Sequence, residues 1–269
     1  MIASTFPAAV RRPITDQLWP VVALSAAMGG IAIAGMLADV RMLDGAGVWA
    51  KPLKFSVSFV VYFATLALVV DRLSPAARAG WGLRLSLHAA VVSMLFEMIY
   101  MFTMAGQGVR SHFNDSDALH QVAYSLMGLG ALVLMLAVGW VGIVAWRDRA
   151  ARMGPDLRAA VGLGFVASAV LTVIVGFTLG GNNGHFIGVP PDGAAVLPVF
   201  GWSAAVGDLR PAHFLGLHAM QVVPLLAIVL QRAGTQRQGL WLWLATLAYA
   251  ALTLALYAQA LAGLPLIRL

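Results

Sequence analysis

The residues best suited to chemistry are one glutamate and a group of histidines. Glu97 is the only glutamate among 269 residues, and it lies inside a long apolar segment. A carboxyl group at such a depth costs about 2.5 kcal/mol or more to insert into a bilayer, so it usually belongs to a site or a pathway. We interpret Glu97 as a proton-handling group or a ligand. The alternative is a structural carboxyl that hydrogen-bonds neighbouring helices.

The histidines are distributed unevenly with respect to the apolar segments. His88 lies near one end of its segment, and the other five cluster at or near the opposite side. Imidazoles gathered in one layer can bind a metal ion or haem. The alternative is that they cap helix ends and meet lipid headgroups. The five clustered histidines are His112, His120, His185, His213 and His218.

Glu97 and His218 are predicted to lie at similar depths. At 1.5 Å per residue, His218 is about 9 Å and Glu97 about 12 Å below the same surface. If their helices are neighbours, the two side chains could share a proton, a metal ion or a polar ligand, and Gln221 follows one turn further along the His218 face. Arg110 is the candidate clamp for an anionic group.

These residues define the predicted site. The candidate catalytic residues are Glu97, His218 and Arg110. The candidate cofactor-binding residues are His112, His120, His213, His218 and Gln221, and the candidate metal ligands are His120, His213, His218 and Glu97. His213 and His218 are five positions apart, a spacing that does not place both on one helical face, so the metal motif is weak.

The composition restricts the class of protein. Hydrophobic residues make up 61% of the chain and charged residues 10%, whereas a soluble domain carries roughly 25% charged residues. The chain has no cysteine, which excludes disulfides, thiolate metal sites and cysteine nucleophiles. The formal net charge of +6 comes from arginines in short connecting segments, which indicates membrane topology rather than nucleic-acid binding.

Apolar segments of membrane-spanning length recur throughout the chain, so the sequence predicts a single all-α membrane bundle over residues 1–269. About 20 residues are needed to cross the hydrocarbon core as a helix. The predicted spans are approximately 18–38, 52–70, 85–105, 120–145, 159–179, 212–231 and 240–260.

Basic residues in the connecting segments predict the orientation. Eleven lie on one side of the seven spans and six on the other. The positive-inside rule then places the N-terminus in the cytoplasm and the C-terminus outside. The clustered histidines therefore belong to the outer side, beside a long outer connection at 180–211.

Three stretches of the sequence resemble a bacterial family of multi-span membrane proteins to which no activity is attached. They are Lys51-Pro52-Leu53-Lys54-Phe55, Gln107 to Asn114, and Asp208 to Gln221. The resemblance implies a location in the bacterial cytoplasmic membrane, and it implies no substrate or cofactor.

Three functional hypotheses follow. The first is a membrane enzyme that binds a metal ion or haem and acts on a lipid-soluble substrate, with Arg110 suited to an anionic group. The second is a proton-coupled transporter or channel that uses Glu97 and His218. The third is a non-catalytic subunit that binds a partner helix through small residues on the fourth span. Those residues are Gly128, Gly130, Ala131 and Gly139.

Overall fold

The computed structural model describes residues 14–114, 116–182, 184–198 and 200–268. Within these ranges the architecture is all-α, and seven of the helices are long and apolar enough to cross a membrane. The predicted fold is therefore confirmed, and the chain is a multi-pass integral membrane protein. Arg11 and Arg12, which contribute to the predicted orientation, lie outside the described residues. The helices are α1 (Leu18–Ala38), α2 (Ala50–Val70), α3 (Pro75–Ala79), α4 (Trp81–Gln107), α5 (Ala118–Arg147), α6 (Pro155–Gly181), α7 (Arg210–Arg232) and α8 (Gln238–Leu261).

The helix ends follow local sequence signals. Asp117 caps α5 by accepting a hydrogen bond from the backbone N–H of His120. Pro155 occupies the first turn of α6, where its missing N–H has no helical partner to lose. Gly108 ends α4 in a left-handed conformation with φ 71°, and the N–H of Val109 then bonds back to the carbonyl of Met104. This last turn redirects the chain after α4.

The helices pack mainly against their neighbours in sequence. Helix α2 also contacts α4 and α5, and α8 also contacts α6. The main core lies between α2, α4 and α5, and includes Phe63, Met98 and Val138. The Tyr62 hydroxyl donates to the Leu134 carbonyl across 2.7 Å, which ties α2 to α5.

Small residues bring α6 and α7 unusually close. A Cβ on Gly164 would lie 2.7 Å from the carbonyl oxygen of Ala219, so only glycine fits there. One turn further along α6, Ser168 donates to the Leu217 carbonyl at 2.9 Å. Such small-residue contacts and interhelical hydrogen bonds replace the hydrophobic effect as the source of helix association in a bilayer.

Two small hairpins shape the outer connections. Strands β1 (Met42–Leu43) and β2 (Ala46–Gly47) form the first antiparallel pair. Strands β3 (Phe186–Ile187) and β4 (Gly207–Asp208) form the second. The second hairpin anchors the long connection before α7, and Gly207 lies against the end of α8 near Ala260.

Two of the four small residues of the predicted partner-binding face on α5 pack inside the bundle, and the other two, Gly128 and Ala131, are exposed. A Cβ on Gly130 would contact Ser93 of α4, and a Cβ on Gly139 would contact Ala169 of α6. A Cβ on Gly128 would meet no atom within 4 Å. Gly130 and Gly139 therefore pack against neighbouring helices of the same chain.

Candidate functional site

Glu97 lies in a buried position on α4, with only 4% of the residue exposed. The nearest ionisable partner is His112, whose Nε2 is 3.7 Å from Glu97 Oε1. This distance forms an ion pair when the imidazole is protonated, and it is too long for a hydrogen bond. His112 belongs to the segment that follows α4, so the chain leaves the helix and brings an imidazole back to the carboxyl group.

Local turn chemistry explains how His112 reaches Glu97. After the left-handed turn at Gly108, the Asn114 side-chain amide donates to the Arg110 carbonyl at 2.9 Å. Phe113 also adopts a positive φ of 53°. The Ser111 hydroxyl contacts Nδ1 of His112 at 3.1 Å, which leaves Nε2 directed at the carboxyl group. The segment is therefore a compact loop that presents His112 inward.

The loop is held from outside by an exposed ion pair. The Arg110 guanidinium binds both oxygens of the Asp44 carboxylate, which lies in the turn between β1 and β2. Arg110 thus connects the loop after α4 to the first outer hairpin. The predicted anion clamp is engaged with a side chain at the rim, above the Glu97–His112 contact.

Lys51 is the third ionisable group of the site. It lies in the first turn of α2, where it is partly buried, and it interacts electrostatically with Glu97 and Asp44. Lys54, one turn further on, is exposed. Neither lysine is among the site residues predicted from the sequence. Both stand in the Lys51–Phe55 stretch, and the orientation of α2 about its axis turns Lys51 inward and Lys54 outward.

Aromatic rings shield the imidazole of His112. The ring centroids of Phe55 and Tyr124 lie 5.5 Å and 6.1 Å from that of His112. Burial lowers the pKa of His112, an effect that Lys51 reinforces and that Glu97 opposes. The imidazole is therefore mainly neutral at pH 7 and can accept a proton from a neighbouring acid.

The carboxylate of Glu97 has unused hydrogen-bonding capacity. Among the described residues, no N–H or O–H group donates a hydrogen bond to it. An ionised carboxylate can accept about four hydrogen bonds, and a buried acceptor without a donor is costly. The carboxyl group can therefore bind a proton, a water molecule or a ligand.

A second polar cluster connects α7 to α2. Nδ1 of His218 contacts the Gln221 side-chain oxygen at 3.2 Å, and the Gln221 amide donates to the Thr65 hydroxyl at 3.0 Å. The Phe214 ring covers His218, with centroids 4.2 Å apart. Glu97 and His218 thus have separate contacts, and their predicted sharing of one proton or ligand stays a prediction.

The other predicted histidines have different environments. Nδ1 of His120 contacts the carboxylate of its own helix cap, Asp117, at 2.7 Å. Nδ1 of His213 is buried and has no hydrogen-bond partner among the described residues, and its ring faces Gly176 of α6. His185 packs against Phe186 in the outer connection, with the ring centroids 4.1 Å apart and the ring planes tilted by 59°.

The predicted metal ligands do not form a recognisable coordination group. In the part of the chain that the structure describes, no three His, Cys, Asp or Glu side chains are arranged to hold a metal ion. His120, His213, His218 and Glu97 each contact a different set of neighbours. The metal and haem hypotheses therefore gain no support from this geometry.

Asp208 and Arg210 belong to one of the three stretches that carry the family resemblance. The structure shows what their side chains do. The Asp208 carboxylate accepts from the backbone N–H of Ser203 at 2.9 Å and from the Arg210 guanidinium at 2.6 Å. Arg210 also donates to the Gly201 carbonyl at 2.7 Å. This ion pair fastens the long outer connection onto the start of α7.

The fold and the site define a membrane protein with seven candidate spans among the described residues and with ionisable groups buried at one end of the bundle. Comparisons of the chain with protein-family models, curated proteins and solved structures find no match. The function must therefore be inferred from the site itself.

Proposed function

We propose that the protein is a proton-coupled membrane carrier in which Glu97 takes up and releases a proton on the outer side. The observation that carries the proposal is the buried contact of 3.7 Å between Glu97 Oε1 and His112 Nε2. Carboxyl and imidazole groups inside membrane bundles commonly relay protons. His112 lies on the loop side of the carboxyl group, and this position suits a group that exchanges protons with the outer solution.

The charges around Glu97 suggest the class of solute. With Glu97 ionised, its charge balances that of Lys51. When Glu97 binds a proton, Lys51 loses this counter-charge, and the buried site gains a net positive charge that favours an anion. Binding of a small anion together with a proton would restore neutrality, so we infer proton–anion symport.

Helix α2 connects this site with the second polar cluster. Lys51 and Phe55 lie at its outer end beside Glu97 and His112, whereas Thr65 lies near its inner end and bonds to Gln221. A movement of α2 would change both clusters together. We propose that His218, Gln221 and Thr65 form the next polar station for the transported species.

Two further elements of the interpretation remain proposals. The resemblance of the three polar stretches to a bacterial membrane family favours a bacterial cytoplasmic membrane location. A metal- or haem-dependent enzyme acting on a lipid-soluble substrate is the competing function. We favour the carrier because it needs only the Glu97–His112–Lys51 arrangement, and the enzyme needs a coordination group.

Proteoliposomes containing a trapped pH-sensitive dye test the carrier directly. Sulfate, inorganic phosphate and citrate are added outside in turn, and acidification of the lumen is measured. We expect at least one of these anions to drive acidification that protein-free vesicles do not show. Glu97→Gln should abolish the signal because the amide cannot bind the proton. Lys51→Gln should reduce it, and Lys54→Gln is the matched control that should retain it.

Two results would overturn this proposal. One is the absence of anion-driven acidification with all three anions, or equal rates for the native protein and Glu97→Gln. The other is a stoichiometric metal, or a haem absorption band, that disappears in Glu97→Gln and His218→Ala. The latter result would favour the enzyme.

A further inference from the structure

The opposite end of the bundle carries an open groove at the start of α4. The groove lies between α3 and α4 and has a volume of about 360 Å³. It is lined by Ala79, Trp81, Arg84, Leu85 and His88. The asymmetry of basic residues places this end of the bundle on the cytoplasmic side.

The distribution of tryptophan supports an interfacial position for the groove. Six of the eight tryptophans lie near the predicted cytoplasmic helix ends, where indole rings favour the boundary between headgroups and hydrocarbon. Trp81 is 78% exposed at the first residue of α4. The six are Trp19, Trp81, Trp140, Trp146, Trp241 and Trp243.

The lining residues form one stripe with two kinds of chemistry. Trp81, Arg84, Leu85 and His88 follow the spacing of successive turns on one helix face, and all four are exposed. Trp81 and Leu85 offer apolar surface, whereas Arg84 and His88 offer nitrogen atoms. The face is therefore amphipathic along its length, with polar and apolar groups side by side.

Arg84 is available for an anion. Four other arginines of the described residues pair with carboxylates, namely Arg41, Arg78, Arg110 and Arg210. Arg84 has no carboxylate partner among the described residues. Nδ1 of His88 lies 2.7 Å from the Arg84 backbone carbonyl, and this bond orients the imidazole one turn along the helix from Arg84.

We infer that this groove binds the headgroup of an anionic phospholipid of the inner leaflet. Arg84 would bind the phosphate through paired N–H groups, and His88 would contribute its second ring nitrogen. Trp81 and Leu85 would contact the glycerol region and the first methylene groups of the acyl chains. A lipid fits this surface better than a soluble phosphate because apolar side chains lie beside the cation. The inference does not depend on the proposed carrier function.

Native mass spectrometry of the detergent-solubilised full chain tests this inference. The protein is titrated with phosphatidylglycerol and, separately, with phosphatidylcholine. We expect tighter binding of phosphatidylglycerol, and about tenfold weaker binding in Arg84→Gln, because one charge-assisted contact to phosphate is lost. Arg232→Gln is the matched control, since Arg232 is an exposed arginine at the same end of the bundle.

The outcomes are distinct from those for the carrier. Equal binding of the two lipids, or equal losses in Arg84→Gln and Arg232→Gln, would overturn the groove as an anionic lipid site. Full competition by soluble glycerol 3-phosphate would replace the lipid with a soluble phosphate and also overturn it. Trp81→Ala, an exposed change that should not impair folding, should weaken binding of phosphatidylglycerol as a second check.

Discussion

His112 lies against Glu97, with Nε2 of the imidazole 3.7 Å from Oε1 of the carboxyl group. One residue comes from the interior of a membrane helix and the other from the loop that follows it. The pair forms because Gly108 turns the chain back over the end of α4. A loop residue thereby gains direct access to a buried carboxyl group, and this access has consequences for proton exchange.

Replacement of His112 should slow proton exchange while preserving the bundle. In His112→Phe the aromatic ring can still pack against Phe55 and Tyr124, but it cannot carry a proton. We expect the initial rate of anion-driven acidification in proteoliposomes to fall about 100-fold, the lower range for loss of a positioned acid or base. His120→Asn is the control, since His120 contacts its own helix cap. An unchanged rate in His112→Phe would exclude the imidazole from the pathway.

The protein should lose stability in acid because His185, in the outer connection, becomes protonated. Burial, together with the positive charge of Arg210, lowers the pKa of His185 from 6.5 to about 4. The unfolded chain therefore binds a proton at higher pH than the folded protein does. The free energy of unfolding should fall as the pH decreases from about 6.5 towards 4.

Thermal unfolding in detergent at a series of pH values measures this effect. His185→Asn should show a flatter decline between pH 6.5 and 4 than the native protein. Above pH 7 the difference between the two melting temperatures should be constant, because the native imidazole is neutral in both states. A decline of equal steepness in the variant would assign the acid sensitivity to other groups, of which His112 has a lowered pKa from the same cause.

Sequence patterns predicted the membrane helices closely because the bilayer imposes a simple constraint. Seven windows of apolar residues match the seven long helices, each to within four residues at its ends. The helices extend beyond the apolar windows, as at Trp81 and Arg84 of α4. Polar residues at a helix end can reach water or headgroups while the backbone hydrogen bonds continue. Hydropathy alone therefore underestimates helix length.

The site was only partly predictable because it depends on loop geometry. Glu97 stood out as the only glutamate in the chain, and His112 as a member of the outer histidine layer. Their contact requires the left-handed turn at Gly108 and the positive φ of Phe113, neither of which hydropathy reveals. The choice between Lys51 and Lys54 requires the rotation of α2 about its axis, which is set by packing against other helices.

The ion pair between Asp208 and Arg210 should restrain local opening of the outer connection. The Asp208 side chain is fully buried. It accepts hydrogen bonds from Ser203 in the connection and from Arg210 at the start of α7. In Asp208→Asn an amide N–H faces the guanidinium, so at least one charge-assisted bond is lost at a cost of about 1.5–3 kcal/mol.

Limited proteolysis with chymotrypsin reports on this segment, which contains Phe200 and Trp202. We expect cleavage within 184–209 to accelerate about tenfold in Asp208→Asn if local opening limits the rate. Asp192→Asn, at an exposed turn of the same connection, should be cleaved at the native rate. Equal cleavage of both variants would show that the ion pair does not restrain the connection.

The close approach of α6 and α7 should make Gly164 intolerant of even one methyl group. A Cβ at this position would lie 2.7 Å from the Ala219 carbonyl oxygen and 2.9 Å from Cβ of Val223. Because a backbone atom cannot rotate away, the helices must separate, and Gly164→Ala should lose about 1–3 kcal/mol of stability. Gly128→Ala on α5 is the matched control, since its Cβ would meet no atom within 4 Å. Its melting temperature in detergent should equal or exceed that of the native protein, since alanine favours helix over glycine by about 1 kcal/mol. Equal melting temperatures for the two variants would contradict the tight α6–α7 contact.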